Sequence, residues 1–169
     1  TTNMMSKGTV YRFDGVDDKI LSTSASWGLL TFPFAVQVKI DYRAGGGAIF
    51  SLTDASAADV YFSISTISDE ITINRRNTGV GVVTASGVTL VDGNTYDIIT
   101  IFESATAVTL YVNGAPVYAG TGLGSEAYSS AIDTLAFSLL RATSPTGYNK
   151  HEYSMAAVYN FLPTASEVK

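Results

Sequence analysis

The stretch Val108-Thr-Leu-Tyr-Val-Asn-Gly-Ala-Pro-Val-Tyr118 contains two short apolar segments separated by Asn113-Gly114. A type I′ turn needs a positive φ at both of its central residues, and Asn followed by Gly accepts this most readily. The stretch therefore predicts a tight β-hairpin. Asp92-Gly93 and Gly45-Gly-Gly47 mark further turns.

Outward from this hairpin, apolar and polar residues alternate with a period of two, and the 3.6-residue period of a helix is almost absent. The clearest strand runs from Phe34 to Asp41, and Val60 to Ser65 and Glu70 to Asn74 repeat its pattern. The segment from Tyr96 to Glu103 is apolar on both faces. Either both faces of that strand are covered, or one of them is an interface.

The last predicted strand runs from Tyr153 to Asn160, and both of its faces are uncharged. Simple alternation separates Tyr153, Met155, Ala157 and Tyr159 from an outer set of Ser154, Ala156, Val158 and Asn160. Pro163 ends this strand because it cannot continue the hydrogen-bond ladder. Thr164 and Glu167 then form a capping box, which predicts a short C-terminal helical turn.

About a dozen short strands at intervals of roughly 8–12 residues indicate an all-β, antiparallel β-sandwich of the jelly-roll type. The 169 residues are enough for one domain, from 1 to 169, with a single core. The chain has no cysteine, so it can form neither a disulfide nor a thiolate metal site. No stretch approaches the roughly 18 apolar residues of a membrane span, and no signal-peptide pattern opens the chain.

The charge of the chain is low as well as negative. The net charge is −5, and the largest basic cluster is Arg75-Arg76, so no nucleic-acid partner is expected. Only 15% of the residues are charged, against roughly 25% in ordinary soluble domains. Such a surface favours subunit contacts or a crowded assembly. The alternative is a weakly charged monomer.

Four segments together resemble the laminin-G-like, concanavalin A-type jelly-roll family. They are Phe13-Asp-Gly-Val-Asp-Asp-Lys-Ile20, the strand from Phe34 to Lys39, the hairpin from Leu110 to Gly114, and the closing strand from Tyr153 to Leu162. The four segments occur in the order and spacing of the family, and the resemblance covers nearly the whole chain. Two segments depart from the family pattern: Tyr96-Asp-Ile-Ile99 replaces the usual Trp-His-x-Val, and Met155-Ala-Ala157 replaces charged residues.

The resemblance raises the question of catalysis, because glucanases share this fold. Those enzymes resemble one another in a Glu-x-Asp-x-x-Glu strand, which places paired carboxylates on one face of a cleft. No such run exists here, since Asp69 and Glu70 are adjacent and Asp97 and Glu103 lie six residues apart. The sequence has a single histidine, His151, and it lacks the Gly-x-Ser-x-Gly motif that would carry a serine nucleophile for that histidine to activate. We therefore expect no enzymatic activity and no cofactor.

Calcium is the metal that the resemblance suggests, because some laminin-G-like domains bind it at one rim of the sandwich. Asp14, Asp17 and Asp18 are the candidate ligands, since hard cations take several oxygen atoms. The competing interpretation is a turn at Asp14-Gly15, whose carboxylate accepts backbone N–H groups, followed by two solvated aspartates. This interpretation is the stronger one, so we expect no metal.

Carbohydrate binding would use aromatic rings with polar neighbours in loops. Trp27 stands in the loop-like Ser24-Ala-Ser-Trp-Gly28, and two further aromatic residues stand beside turns. The candidate ligand-binding residues are Trp27, Tyr42, Arg43, Tyr148 and His151. Each has a competing structural interpretation, because most tyrosines at alternating positions fill the core, and His151 is typical of a loop or the start of a strand.

Two functions follow. The leading expectation is a non-catalytic bacteriophage virion protein, a capsid-decorating or fibre component, at the virion surface. Its partners would be capsid or other virion proteins, and it would be a homo-oligomer, with a trimer suggested only by similar virion proteins. The alternative is a lectin-like, carbohydrate-binding adhesion module of a bacterial or phage surface protein, which would be extracellular or at the cell surface. Neither role involves a membrane or a nucleic acid.

Overall fold

The computed structural model describes residues 11–17, 19–23, 32–54, 56, 61–77, 80–104, 106–120, 133–138 and 146–159. Within these ranges the regular structure is entirely β. The strands are β1 (Tyr11–Arg12), β2 (Ile20–Thr23), β3 (Phe34–Asp41), β4 (Gly47–Thr53), β5 (Tyr61–Ile67), β6 (Glu70–Asn77), β7 (Val80–Thr89), β8 (Thr95–Phe102), β9 (Val108–Val112), β10 (Ala115–Gly120), β11 (Thr134–Phe137) and β12 (Glu152–Tyr159).

The strands form two six-stranded antiparallel sheets. Sheet A has the order β1-β12-β3-β8-β9-β10, and sheet B has the order β2-β11-β4-β5-β6-β7. The predicted all-β sandwich of the jelly-roll type is therefore confirmed. The helical turn predicted around Thr164 lies outside the described residues. In the described part of the chain, no helix is long and apolar enough to cross a membrane.

The hairpin that the sequence predicts most clearly joins β9 and β10. Val112 is paired with Ala115, and the two residues between them have positive φ, 51° at Asn113 and 78° at Gly114. Both φ values match the type I′ requirement. The turn type was thus predictable from two residues.

The core lies between the inner faces of the two sheets. Phe34 and Phe102 of sheet A stack with ring centroids 4.4 Å apart, and Phe62 of sheet B meets Phe102 edge-on at 4.7 Å. All three are buried, and burying each ring stabilises the fold by about 1.5–3 kcal/mol. The contact between Phe62 and Phe102 therefore stabilises the packing of the two sheets against each other.

Strand β8 is covered on both faces. Its inner face carries Ile98, and its outer face carries Ile99 and Ile101, which are buried with Ala35 of β3 in a second, smaller cluster. Tyr159 packs on this cluster and donates a hydrogen bond from its hydroxyl to Gln37 Oε1 at 2.7 Å. Of the two explanations for this apolar strand, coverage of both faces is the one the structure supports.

Strand β12 departs from the simple alternation that its sequence suggests. Its register with β3 shifts between Tyr153 and Met155, which is a β-bulge. Tyr153, Ala156 and Val158 consequently face the main core. The prediction that Ala156 and Val158 belong to an uncharged outer surface was therefore wrong, because one extra residue reverses the faces that follow it.

Candidate functional site

Tyr42, one of the sequence-predicted ligand residues, is fully buried at the end of β3. Its hydroxyl donates a 2.5 Å hydrogen bond to Asp69 Oδ1, and its ring centroid lies 4.8 Å from that of His151. Burial and the neighbouring carboxylate raise the pKa of Tyr42 well above its usual range. A ring with no exposed surface cannot stack on a sugar.

His151 is also fully buried. Its Nδ1 accepts a hydrogen bond from the backbone N–H of Arg43 at 3.2 Å, and its Nε2 has no hydrogen-bond partner among the described residues. Burial lowers the pKa of His151 to about 4, so the ring is neutral at pH 7. His151 therefore supports the fold at this end of the sandwich and is not available to a ligand in solvent.

Arg43 is the centre of a small ionic cluster at the same end. Its Nη2 lies 3.0 Å from Glu152 Oε1, and Arg12 Nη2 lies 3.1 Å from the same oxygen. The hydrogen bond from Arg43 lowers the pKa of Glu152. The guanidinium of Arg43 is thus engaged by a carboxylate, although 42% of its side chain remains exposed.

Two predicted residues remain. Trp27 lies outside the described residues. Tyr148 is half-buried, and its carbonyl oxygen packs so closely on Gly47 that an added Cβ there would lie 2.5 Å from it. The structure thus gathers Tyr42, Arg43, Tyr148 and His151 at one end of the sandwich, with only Arg43 and Tyr148 reaching the surface.

Among the candidate calcium ligands, Asp14 forms the turn that the alternative to metal binding predicts. Asp14 Oδ1 accepts the backbone N–H of Val16 at 2.7 Å, and Gly15 has a φ of 81°, which is the expected Asx turn. Asp18 lies outside the described residues. In the described ranges, no group of three or more Asp, Glu, His or Cys residues is placed to hold a metal ion.

A second region was not predicted as a site. The outer face of sheet B, which points away from the core, carries buried hydroxyl and amide side chains on neighbouring strands. In register across this face, Ser51 of β4 is paired with Ser63 of β5, Ser63 with Asn74 of β6, and Ser65 with Thr72. Paired residues of adjacent strands share a face. We call this set the polar ladder.

Asn74 connects the polar ladder. Its Nδ2 lies 2.9 Å from Ser65 Oγ and 3.3 Å from Thr72 Oγ1, and the hydroxyls of Ser63 and Ser65 are 3.0 Å apart. Its Oδ1 accepts no hydrogen bond from the described residues. The hydroxyls hold the amide in place, and its oxygen is left as an acceptor.

A cavity of about 190 Å³ opens beside the polar ladder. We call its polar lining residues, Ser65 and Asn74, the floor of the cavity, and Tyr61, the half-exposed Ile67 and the glycines Gly47 and Gly147 its wall. It is smaller than the roughly 300–1,000 Å³ of pockets for drug-sized ligands. It therefore suits one small ring that has an apolar face and several hydroxyl groups.

The wall formed by Gly47 and Gly147 is fixed by contacts between distant parts of the chain. The N–H of Ala48 donates to the carbonyl of Gly147 at 2.7 Å, and Asn149 donates to the carbonyl of Ala48. Gly47 has a φ of 131°, in the region that favours glycine, and its missing Cβ leaves room for the Tyr148 carbonyl. The glycine turn was predictable, but its partner segment was not.

The polar ladder has a signal in the sequence. Serine, threonine and asparagine recur at every second position in two neighbouring predicted strands, at 63, 65, 72 and 74. Alternation in these strands marks the core face through the apolar positions and the opposite face through the polar ones. A strand face that is polar but uncharged is the complementary signal, because it indicates side chains that can form hydrogen bonds away from the core.

No protein-family model and no curated protein matches the sequence. Its fold is similar to that of the K499G mutant of the NanB sialidase of Streptococcus pneumoniae, with a TM-score of 0.75 and 22% identity, over 95% of this chain and 27% of that chain. This chain thus spans about a quarter of the length of that sialidase chain.

Two similar structures are close to this chain in length. The CBM40 domain of the Ruminococcus gnavus IT-sialidase bound to α2,3-sialyllactose has a TM-score of 0.69 and 11% identity, over 99% of this chain and 93% of that one. Domain 4 of AbnA, a GH43 extracellular arabinanase of Geobacillus stearothermophilus in complex with arabinotriose, has a TM-score of 0.64 and 13% identity, over 99% and 85%. At these identities the likeness establishes the fold, which is a concanavalin A-like β-sandwich.

Proposed function

We propose that this protein is a non-catalytic carbohydrate-binding module that holds one sugar ring in the cavity on the outer face of sheet B. The observation that carries the proposal is the composition of the cavity, an aromatic wall beside a floor of hydroxyl and amide groups. A sugar ring has an apolar face for Tyr61 and hydroxyl groups for Ser65 and Asn74.

The similar structures support this class of ligand. One is a CBM40 domain bound to α2,3-sialyllactose, and another is an arabinanase domain in complex with arabinotriose. They favour the carbohydrate-binding alternative over a virion role. By the same analogy we propose an extracellular or cell-surface location.

Arg76 favours an acidic sugar over a neutral one. It is the cross-strand neighbour of Tyr61, so it brings a permanent positive charge to the face on which the cavity opens. A guanidinium interacts favourably with a sugar carboxylate. Sialylated glycans are therefore the first ligands to test, with arabinotriose as the neutral comparison.

One of the arguments for a virion protein does not hold. It rested partly on weakly charged strand faces available for contact, but Ile99 is buried within the chain and Val158 packs on the main core. Neither capsid partners nor a trimer has support in the described contacts. The low charge of the chain remains as an observation that favours contacts between subunits.

The test is titration calorimetry of the purified chain with α2,3-sialyllactose and with arabinotriose. We expect Asn74→Ala to weaken binding by about tenfold or more, the cost of losing one or more hydrogen bonds to the sugar. The matched control is Asn94→Ala, at an exposed asparagine in the turn before β8. Equal affinities of the two variants, or no binding of either sugar by the wild-type chain, would contradict the proposal.

A further inference from the structure

The part of the cavity wall at Gly147 is held in place by a buried asparagine, Asn149. The Asn149 side chain donates to the Ala48 carbonyl, and its Oδ1 accepts the backbone N–H of His151 at 3.0 Å. The backbone N–H of Asn149 donates to Ser138 Oγ at 3.1 Å. Ala48 and Gly147 both line the cavity. The segment from Gly147 to His151 is therefore fixed against β4 mainly through Asn149.

The part of the wall at Ile67 depends on a strained turn. Ser68 and Asp69 follow Ile67 and have positive φ values of 49° and 65°, which residues other than glycine adopt at a cost. Two hydrogen bonds hold the turn. Asp69 Oδ1 accepts the hydroxyl of Tyr42 at 2.5 Å, and the Asp69 carbonyl accepts the N–H of Leu90 at 2.8 Å. The position of the Tyr42 ring therefore matters for this part of the wall.

His151 contacts both of these supports. Its backbone N–H is bonded to Asn149, and its ring centroid lies 4.8 Å from that of Tyr42. The ring is fully buried, its Nδ1 accepts the N–H of Arg43, and its Nε2 has no partner among the described residues. A protonated imidazole carries a hydrogen on both nitrogens and needs two acceptors. This position therefore suits the neutral ring and not the positive one.

The surrounding groups do not compensate a positive charge on His151. The titratable and charged side chains that neighbour it come from the end of β3, the start of β12 and the turn after β5, and they are Tyr42, Arg43, Lys150, Glu152, Tyr153 and Asp69. The two tyrosines are neutral, and Arg43 and Lys150 are positive. Asp69 accepts the Tyr42 hydroxyl, Glu152 is bonded to Arg43, and Asp92, in the turn before β8, accepts the N–H of Ala44. Burial lowers the pKa of His151 to about 4.

We propose that His151 is a pH switch for the cavity: when its ring gains a proton, the segment from Gly147 to His151 moves away from β4 and the bound sugar is released. This inference rests on the proposed carbohydrate site. In an opened state the hydrated ring has the ordinary histidine pKa of about 6.5, so acid favours that state. Its weight relative to the closed state is about 60-fold greater at pH 4.5 than at pH 7.

The opening can be measured without any ligand. The chain has a single histidine, so nuclear magnetic resonance follows the titration of the His151 ring without ambiguity. We expect a midpoint between pH 4 and pH 6.5, and over the same range the amide of Ala48 should lose its protection from hydrogen exchange. A midpoint at pH 4 or below, or an Ala48 amide whose protection does not change, overturns the proposal.

Calorimetry with arabinotriose and with α2,3-sialyllactose at pH 7 and at pH 4.5 tests the release. For the sugar that binds, we expect the affinity of the wild-type chain to fall about fivefold or more, with an unchanged far-ultraviolet circular dichroism spectrum. His151→Asn keeps an acceptor for the N–H of Arg43 but gains no proton, so its affinity should change less than twofold. The matched controls are Glu152→Gln and Asp92→Asn, which remove neighbouring carboxylates and should keep the dependence of the wild-type chain on pH.

Linkage gives a reciprocal test in the wild-type chain. Because the sugar binds the closed state, a saturating concentration should move the midpoint of the His151 titration to lower pH. This measurement decides the proposal even where His151→Asn fails to fold. A midpoint that the sugar does not move overturns the switch, and so does a loss of affinity in His151→Asn equal to that of the wild-type chain.

The same experiments separate the switch from the proposed function. If a sugar binds equally at both pH values, the switch fails and the carbohydrate site stands. If neither sugar binds at pH 7, the proposed function fails, and the exchange of the Ala48 amide still decides whether protonation of His151 opens the segment.

Discussion

At the scale of single residues, His151 gives the fold a dependence on pH. The ring is buried, and burial lowers its pKa to about 4 from the 6.5 of an exposed histidine. Between these two values the unfolded chain binds a proton that the folded chain does not, so stability falls as the pH falls through this window. The full effect, about 3 kcal/mol, is reached below pH 4 and is absent above pH 6.5.

Urea unfolding of the wild-type chain and of His151→Asn at pH 7 and at pH 4.5 measures this effect. Asparagine keeps an acceptor near the position of Nδ1 for the N–H of Arg43 but has no proton to gain. We expect the wild-type chain to lose more stability between the two pH values than the variant does. Equal losses would mean that the carboxylates alone set the acid sensitivity and that His151 is not desolvated.

At the scale of elements, the glycine turn before β4 offers a matched pair of substitutions. Gly45 and Gly47 have nearly the same φ, 132° and 131°, so alanine is strained equally at both. Only at Gly47 would a Cβ meet the Tyr148 carbonyl, at 2.5 Å, whereas nothing lies within 4 Å at Gly45. Gly47→Ala should lower the stability by about 1–3 kcal/mol more than Gly45→Ala does.

Thermal unfolding followed by circular dichroism compares the two alanine variants, and calorimetry with sialyllactose shows whether the cavity survives. Because Gly47 lines the cavity and Gly45 does not, only Gly47→Ala should weaken binding as well. Similar melting temperatures for both variants would show that the chain at Tyr148 moves away at little cost. The wall of the cavity would then be adjustable.

The elements also show what the sequence could and could not predict. Strands with strict alternation and turns with Asn-Gly or Asp-Gly follow from local rules, and β3 and the β9–β10 hairpin were predictable. The bulge in β12 was not, because its cause is the register with β3 and not any residue within β12. The cavity was missed for the same reason, since Ser65, Asn74 and Gly147 meet only through tertiary pairing.

At the scale of the whole molecule, the aromatic contact between the sheets predicts one cooperative unfolding transition. Phe102 touches Phe34 of its own sheet and Phe62 of the other, so neither sheet keeps its core without the other. Phe102→Ala should lower the stability by about 3–5 kcal/mol. Tryptophan fluorescence and circular dichroism should still report the same midpoint, as expected for one domain. Separate midpoints would indicate two units.

The hydrogen bond from the Ala48 N–H to the Gly147 carbonyl joins two segments that are far apart in the chain. Asn149 reaches the Ala48 carbonyl across 101 residues, and the hydroxyl of Tyr153 donates to the Ile49 carbonyl across 104. Contacts of such long sequence separation form late, because a large loop must close first. During synthesis the residues of the cavity floor, Ser65 and Asn74, therefore leave the ribosome well before Gly147 of its wall. A ribosome that stops before Gly147 releases a chain that contains the residues of the polar ladder but lacks the glycine that completes the binding site.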